Sequence, residues 1–249
     1  PSMANNELSG PVIAARLAQW LVSKKKHRYT YRIVFIPETI GSLVYLSRNL
    51  DYLKENVIAG FNLSCLGDDR CYSYLPSRDG NTLSDKVALH TLKHTDSKFK
   101  KYSWLDRGSD ERQYCAPGVD LPIASIMRSK YGEYPEYHTS LDNLDLISPN
   151  GLAGSLNTIK RLVNIIEHNS YPLVNVLGEP CLGKRRLYPT LSTTKHDVDS
   201  RNYLNFITFC DSKKSILDIA ELINIPFWEL YLIAENLEAN NLISLLKTE

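Results

Sequence analysis

The sequence has no apolar run approaching the roughly 18 residues that a membrane-spanning helix requires. Its first ten residues, PSMANNELSG, have neither the basic segment nor the apolar core of a secretory signal peptide. We therefore expect no membrane partner and a cytoplasmic location.

Closely spaced cysteines are also missing. The five cysteines are Cys65, Cys71, Cys115, Cys181 and Cys210, and no CxxC pair occurs among them. This spacing argues against a cysteine zinc site, and the odd, scattered set favours reduced thiols over a disulfide framework.

An excess of charge of either sign is absent too. The chain has 29 Lys and Arg residues and 28 Asp and Glu residues, a net charge of +1, which indicates no polyanionic partner such as nucleic acid. Hydrophobic residues make up 43% and charged residues 23%, as in ordinary globular proteins. The length of 249 residues allows one medium domain with a small one attached.

The sequence does contain alternating helical and strand patterns. This alternation predicts an α/β fold with a mostly parallel sheet flanked by helices. A helix is predicted to start at Ser9 as its N-cap, and further helices are predicted at 42–54, 84–92 and 152–168. Strands are predicted at 29–36, 57–66 and 121–126.

Glu38 is the first candidate functional residue. It follows the predicted strand 29–36 in the stretch YTYRIVFIPETIGS, just before a glycine turn. Ligands of parallel α/β sheets gather at the carboxyl ends of the strands. A carboxylate in this apolar setting is expected to be partly desolvated, which would raise its pKa toward the range of a general base.

Further polar sites lie in loops that this layout would bring toward Glu38. They are Asn5-Asn6, Asp110 and His138. Spacing alone leaves simpler interpretations open: Asp110 could form a turn or an ion pair with Arg112, and His138 could be an exposed loop residue.

The C-terminal part predicts a separate small domain. A polar linker at 193–202 places the boundary between residues 192 and 193, and a helix, a turn at Pro226 and a second helix follow, the outline of a winged helix. The segment from residue 196 onward contains nine acidic residues and four Lys and Arg residues, so its net charge is −5. Since DNA-recognition helices need basic and amide side chains, we expect a protein contact or a packing appendage, not nucleic acid.

Five motifs, in the order ANNELSG, FIPETIGS, RGSDERQY, GVDLP and EYHTSLDN, resemble the zinc-dependent aminopeptidase superfamily, which includes bacterial leucyl aminopeptidases and glutaminyl cyclases. The chain is more closely similar to aminopeptidase-like proteins with a C-terminal winged helix that are associated with bacterial polysaccharide biosynthesis. The resemblance covers about residues 1–190, and the tail fits the last domain of the closer family.

The resemblance implies roles for individual residues. Glu38 stands where the superfamily has the glutamate that takes a proton from zinc-bound water, and His138 stands at the late histidine ligand. Asp110 matches an aspartate that acts near the substrate in glutaminyl cyclases, and it is also a possible metal ligand. With Arg112 and Tyr137 it is expected to bind substrate, although Glu111 replaces the histidine that follows it in the superfamily.

Several metal-binding positions depart from the superfamily pattern. Asn6 stands at the aspartate that bridges two ions, Thr39 at a second glutamate and Ser64 at another aspartate ligand. Neutral side chains cannot balance two dications, so we expect one zinc ion or none. The first histidine ligand is expected before Pro1, which predicts that this chain is the C-terminal portion of a longer protein.

Two hypotheses of function follow. The first is a one-metal hydrolase of peptide or amide bonds, with Glu38 as base and His138 as ligand, acting on a peptide or a small amide-containing substrate. The second is a catalytically silent protein that keeps the fold for binding or scaffolding and uses its acidic tail domain to contact a protein partner. A DNA-binding regulator would rest on the tail alone, and its charge argues against it.

Overall fold

The computed structural model describes residues 3–185, 187 and 194–247, with side chains described from Arg201 onward in the helix that begins at Thr194. Contacts divide the chain into two compact units, Pro1–Val163 and Asn164–Glu249. The boundary predicted between residues 192 and 193 falls inside the second unit. The predicted linker, 193–202, is helical from Thr194 onward.

The first unit is built on a mixed four-stranded sheet. Its strands are β1 (Gly60–Leu63), β2 (Ser73–Leu75), β3 (Lys100–Lys101) and β4 (Ile123–Met127), in the order β1-β4-β2-β3. The pairs β1–β4 and β2–β3 are parallel, and β2–β4 is antiparallel. The α/β class with a mostly parallel sheet is therefore confirmed.

Helices flank this sheet, as predicted. They are α1 (Ser9–Ser23), α2 (Ile40–Asn56), α3 (Leu83–Lys93), the single turn α4 (Glu111–Tyr114) and α5 (Pro149–His168). Their apolar faces supply buried residues such as Leu17, Val87 and Leu162. No helix in the described ranges is both long enough and apolar enough to cross a membrane.

The prediction of a strand at 29–36 is wrong. Residues 30–37 carry no helix or strand assignment, and Val34 and Phe35 are exposed. No β-bridge joins this segment to the rest of the described chain. The apolar pattern predicts an extended backbone, but a strand also needs a hydrogen-bonding neighbour, and the pattern does not encode one. Glu38 therefore follows a segment without helix or strand structure, not a buried strand.

The prediction that Ser9 is the N-cap of the first helix is wrong. A single π-helical turn, Ala4–Leu8, runs directly into α1, and Ser9 is the first residue of the α-helix. Its hydroxyl donates a hydrogen bond to the carbonyl of Asn5 and accepts one from Leu66 N at 2.7 Å. Ser9 thus ties the N-terminal turn to the chain that leaves β1.

The second unit has the predicted winged-helix outline. Its helices are α6 (Thr194–Ile207), α7 (Ile216–Ile223) and α8 (Phe227–Ala239), and its wing is the antiparallel pair β5 (Tyr171–Val174) and β6 (Ile243–Leu246). Ser215 and Asp218 form a capping box at the start of α7. Asn224 ends α7 in the left-handed conformation, and Pro226 precedes α8.

Gly10 permits the close approach of α1 to the end of β1. A Cβ at Gly10 would lie 2.1 Å from the Leu63 carbonyl oxygen, a backbone atom that cannot move aside without shifting the strand. We expect Gly10→Ala to lower the free energy of unfolding by about 1–3 kcal/mol, as overpacking does. Urea denaturation would measure the loss. Ala15→Ser, at an exposed position of the same helix, is the control, and equal effects of the two would contradict this close approach.

Candidate active site

Glu38 lies in a tight turn immediately before α2. Ile40 N donates to the Glu38 carbonyl at 2.7 Å, and Thr39 between them has φ 61° and ψ −68°. This is a γ-turn of the rare positive-φ type, which is strained for a β-branched residue. Such strain persists only where surrounding contacts fix the backbone, and it is concentrated at functional sites.

Two residues from the next polar loop fix this turn. Thr39 N donates to Asp110 Oδ1 at 2.7 Å, and Arg112 Nη2 donates to Thr39 Oγ1 at 2.7 Å. The structure therefore brings Asp110 and Arg112 to the turn that contains Glu38. Their proposed roles stay predictions.

The surroundings of Glu38 disfavour its charged form. Burial by neighbouring protein atoms raises the pKa of Glu38, although part of the residue is exposed to solvent. The negative charges of Asp110 and Glu7 raise it further, while a hydrogen bond from Ser109 and the positive charge of Arg112 oppose the shift. A carboxylate with a raised pKa is better suited to accept a proton near neutral pH.

Tyr137 and His138 contribute an aromatic side to the site. Burial raises the pKa of Tyr137, and the negative charges of nearby groups, including Glu38 and Glu7, raise it further. The His138 ring stacks on Tyr137 with centroids 3.9 Å apart and planes at 16°. His138 is exposed and has φ 57°, so its loop turns sharply and presents the imidazole to solvent.

Asn6 is held by its neighbours on the buried side of the π-helical turn. Its Nδ2 donates to Glu7 Oε1 at 3.1 Å, and its Oδ1 accepts from the Cys65 thiol at 3.5 Å. Its carbonyl accepts from Ser64 Oγ at 3.2 Å. Asn6 and Ser64, which the resemblance matches to metal ligands, are thus bonded to each other here.

Glu7 is a member of this site that the sequence analysis did not single out. It lies within the ANNELSG motif and its charge acts on both Glu38 and Tyr137. The only signal available was its position next to Asn6.

A buried carboxylate, Asp142, anchors the N-terminal turn beside the aromatic loop. Its oxygens accept from Asn5 N at 2.6 Å, Asn6 N at 3.2 Å and Tyr134 Oη at 2.9 Å. Asp142 is fully buried, and these bonds join the turn to the loop that carries Tyr137 and His138. Its position in the EYHTSLDN motif gave no sign of this role.

The donor set can be tested against a zinc site. His138 offers an imidazole nitrogen, and Glu7 and Glu38 offer carboxylates, all of them zinc ligand types. Within the described residues, however, no three of these donors lie within 4.8 Å of one another. Thr39 Oγ1 is already engaged by Arg112. The described residues thus bring no three zinc donors together around Glu38 or His138, and the neutral side chains of Asn6, Thr39 and Ser64 do not fit a site for two ions.

The fold and the site together define an aminopeptidase-like α/β domain followed by a winged-helix domain. Residues 1–169 match the model of a family described as a domain of unknown function, DUF4910, and residues 170–245 match a winged helix-turn-helix family. The chain belongs to the DUF4910 family.

A curated protein and a crystal structure, both from Clostridium acetobutylicum, align with nearly the whole chain. One, named as a candidate polysaccharide biosynthesis protein with an aminopeptidase-like domain, is 38% identical over 247 residues, which is 98% of this chain and 56% of the relative. The other, the crystal structure of a candidate peptidase, is 36% identical with a TM-score of 0.89 and covers 99% of this chain and 55% of that one. The chain thus spans little more than half the length of either relative.

The structure of a zinc aminopeptidase from Bacillus subtilis is a more distant neighbour. It aligns with 66% of this chain and 41% of its own at 18% identity, with a TM-score of 0.52. This likeness shows a shared fold. The resemblance to the aminopeptidase superfamily and to its winged-helix members is confirmed at that level.

The raised pKa of Glu38 predicts a pH-dependent effect of removing its charge. The folded state binds the Glu38 proton more tightly than the unfolded chain does, so this stabilisation is present below the unfolded pKa and is lost as the pH rises through the folded pKa. We therefore expect Glu38→Gln to raise the melting temperature slightly at pH 7, with a gain that shrinks toward zero below about pH 4.

Thermal melts of both proteins from pH 3 to 8 would measure this difference. Glu55→Gln, an exposed glutamate at the far end of α2, is the matched control. A Glu38→Gln difference that stays constant across the pH range would contradict the raised pKa.

Proposed function

We propose that this chain forms part of an aminopeptidase-like hydrolase of peptide or amide bonds, in which Glu38 is the general base. The observation that carries the proposal is the Glu38 turn: a carboxylate of raised pKa beside a strained residue that Asp110 and Arg112 hold in place.

Glu38 would take a proton from the water that attacks the scissile carbonyl carbon. The same proton would then pass to the leaving nitrogen, so that the carboxylate is restored at the end of each turnover. Asp110 and Arg112, beside the Glu38 turn, would contact the substrate together with Tyr137. The negative charge of Glu7, Glu38 and Asp110 would suit a substrate that carries a free amino group.

A single zinc ion is the cofactor that we propose for this reaction. His138 would be its nitrogen ligand from this chain, and the ion would polarise the scissile carbonyl and lower the pKa of a bound water. Its remaining ligands would come from outside the group formed by Glu7, Glu38, Asp110 and His138.

Removing the Glu38 carboxylate tests the proposed base. Glu38→Gln should retain the fold and reduce hydrolysis of aminoacyl-amide substrates by at least about 100-fold, since general bases contribute 10²–10⁴-fold. The assay requires the full-length protein with zinc supplied, and Glu55→Gln is the control for charge removal on α2. Unchanged hydrolysis in Glu38→Gln would remove Glu38 from the mechanism.

Metal analysis of the full-length protein tests the zinc ligand. We expect about one zinc per chain, lost in His138→Ala and retained in His27→Ala, which removes another exposed histidine. An absence of zinc from the unmodified protein would overturn the one-metal hydrolase.

The alternative is a catalytically silent protein that keeps the fold for binding or scaffolding. It is favoured by the engagement of Asn6, Thr39 and Ser64 in internal hydrogen bonds at positions where the superfamily binds metal. The two proposals differ in their metal content, so the analysis of zinc decides between them.

The biological setting that we propose is polysaccharide biosynthesis. It rests on the name of the Clostridium acetobutylicum relative, which is 38% identical to this chain. Substrates compatible with the proposed chemistry include peptides, aminoacylated sugars and amides of polysaccharide precursors.

We further propose that the winged-helix domain contacts a protein and not DNA. Its second long helix, α8, carries Glu229, Glu235 and Glu238 at exposed positions and contains no Lys or Arg. An acidic helix is repelled by the phosphate backbone, which basic residues must neutralise for binding.

The retention of the protein on a DNA column tests whether the negative charge of α8 prevents DNA binding. At 50 mM salt the full chain should pass through a DNA column, while a variant with all three of these glutamates changed to lysine should be retained more strongly. Salt-sensitive retention of the unmodified chain would revive a DNA-binding role.

A further inference from the structure

We propose that Glu111 is a positioning residue, which fixes the loop carrying Asp110 to the central sheet and thereby holds the strained turn at Thr39 in place. The proposal deepens the proposed function, because that turn carries Glu38. It stands on hydrogen-bond geometry within the first unit.

Glu111 is a charged residue with no exposed surface. A carboxyl group removed from water is destabilising unless hydrogen bonds replace the water, and five donors supply them here. Their arrangement is asymmetric, because each of the two carboxyl oxygens faces a different part of the structure.

The Oε2 oxygen faces the sheet. It accepts from Asn62 Nδ2 on β1 at 3.0 Å and from Ser125 Oγ on β4 at 3.3 Å. These strands are adjacent and parallel, so this side of the carboxyl group is attached to the most regular part of the unit.

The Oε1 oxygen faces the loop. It accepts from Gly108 N at 2.8 Å, Ser109 N at 3.0 Å and Tyr131 Oη at 2.7 Å. The Tyr131 hydroxyl in turn accepts a hydrogen bond from Gly108 N at 2.8 Å. A Cβ at Gly108 would lie 2.8 Å from the Tyr131 ring, so only glycine allows this close approach.

The loop held in this way delivers Asp110 to the turn. Asp110 lies between Ser109, whose amide binds Glu111, and Glu111 itself, so its backbone is fixed on both sides. Its Oδ1 then accepts from Thr39 N at 2.7 Å. A chain of hydrogen bonds therefore runs from the sheet through Glu111 and Asp110 to Thr39, the residue after Glu38.

The backbone amide of Thr39 is a reporter that does not depend on catalysis. Its hydrogen bond to a carboxylate should place its proton resonance downfield and slow its hydrogen exchange. Both quantities can be read in a ¹⁵N-labelled full chain, whether or not the protein hydrolyses anything.

The test compares two hydroxyl removals on opposite sides of the same carboxyl group. Tyr131→Phe deletes one of the three donors on the loop side, and Ser125→Ala deletes one of the two donors on the sheet side. We expect hydrogen exchange of the Thr39 amide to be about tenfold faster in Tyr131→Phe, because the loss of one buried hydrogen bond loosens the loop that holds Thr39. In Ser125→Ala the same exchange rate should change less than about twofold, because the lost hydrogen bond lies on the sheet side. Glu111→Gln should have at least the effect of Tyr131→Phe, with an upfield shift of the Thr39 proton.

Two outcomes would overturn the proposal. One is a Thr39 amide that is unchanged in Tyr131→Phe, the conservative variant that keeps the proposal testable if Glu111→Gln does not fold. The other is an equal change in Tyr131→Phe and Ser125→Ala, which would mean that Glu111 supports the fold in general. A Thr39 response without any hydrolysis by the unmodified protein would keep the positioning role and overturn only the hydrolase.

Discussion

The candidate site depends on the backbone of one residue, Thr39, held at φ 61° and ψ −68°. A β-branched residue in this region costs of order 1–3 kcal/mol, so neighbouring contacts must outweigh the strain. Asp110 binds its amide and Arg112 binds its hydroxyl. These bonds also fix the backbone of the turn that contains Glu38. The position of the proposed base therefore depends on residues about 70 positions later in the sequence.

A second constraint brings the N-terminal turn to the same place. Asn5 is fully buried, and its side chain donates to Asp68 and accepts from Gly67 N, while its amide donates to Asp142. Buried polar networks of this kind are rigid when every member is satisfied. The π-helical turn Ala4–Leu8 is therefore locked between the chain after β1 and the loop that follows Tyr137. Glu7 belongs to this fixed turn, and its charge acts on Glu38.

Local sequence patterns predicted much of this structure. They could not predict which segments contact or hydrogen-bond to each other. Helices α1, α2 and α5 follow from apolar periodicity, which is a property of each segment alone. The strand expected at 29–36 did not form because strand pairing requires a neighbour. The loop layout led us to expect Asp110 near Glu38, but it did not indicate the bonds that Asp110 and Arg112 make to Thr39. The burial of Glu111 could not be predicted, because a glutamate in a polar loop is ordinarily exposed and three of its five partners, Asn62, Ser125 and Tyr131, come from other stretches of the chain.

The departures from the superfamily pattern have a common physical consequence. The resemblance matches Thr39, Asn6 and Glu111 to a glutamate, an aspartate and a histidine of the superfamily. Each of these side chains takes part in hydrogen bonds here. These three side chains bind other protein groups, and they thereby fix the surrounding backbone. One strained residue, Thr39, stays next to a carboxylate whose pKa is raised, that of Glu38. This strained turn and its carboxylate are therefore the features on which the proposed hydrolase rests, because strain of this kind is concentrated at sites that bind or transform a ligand.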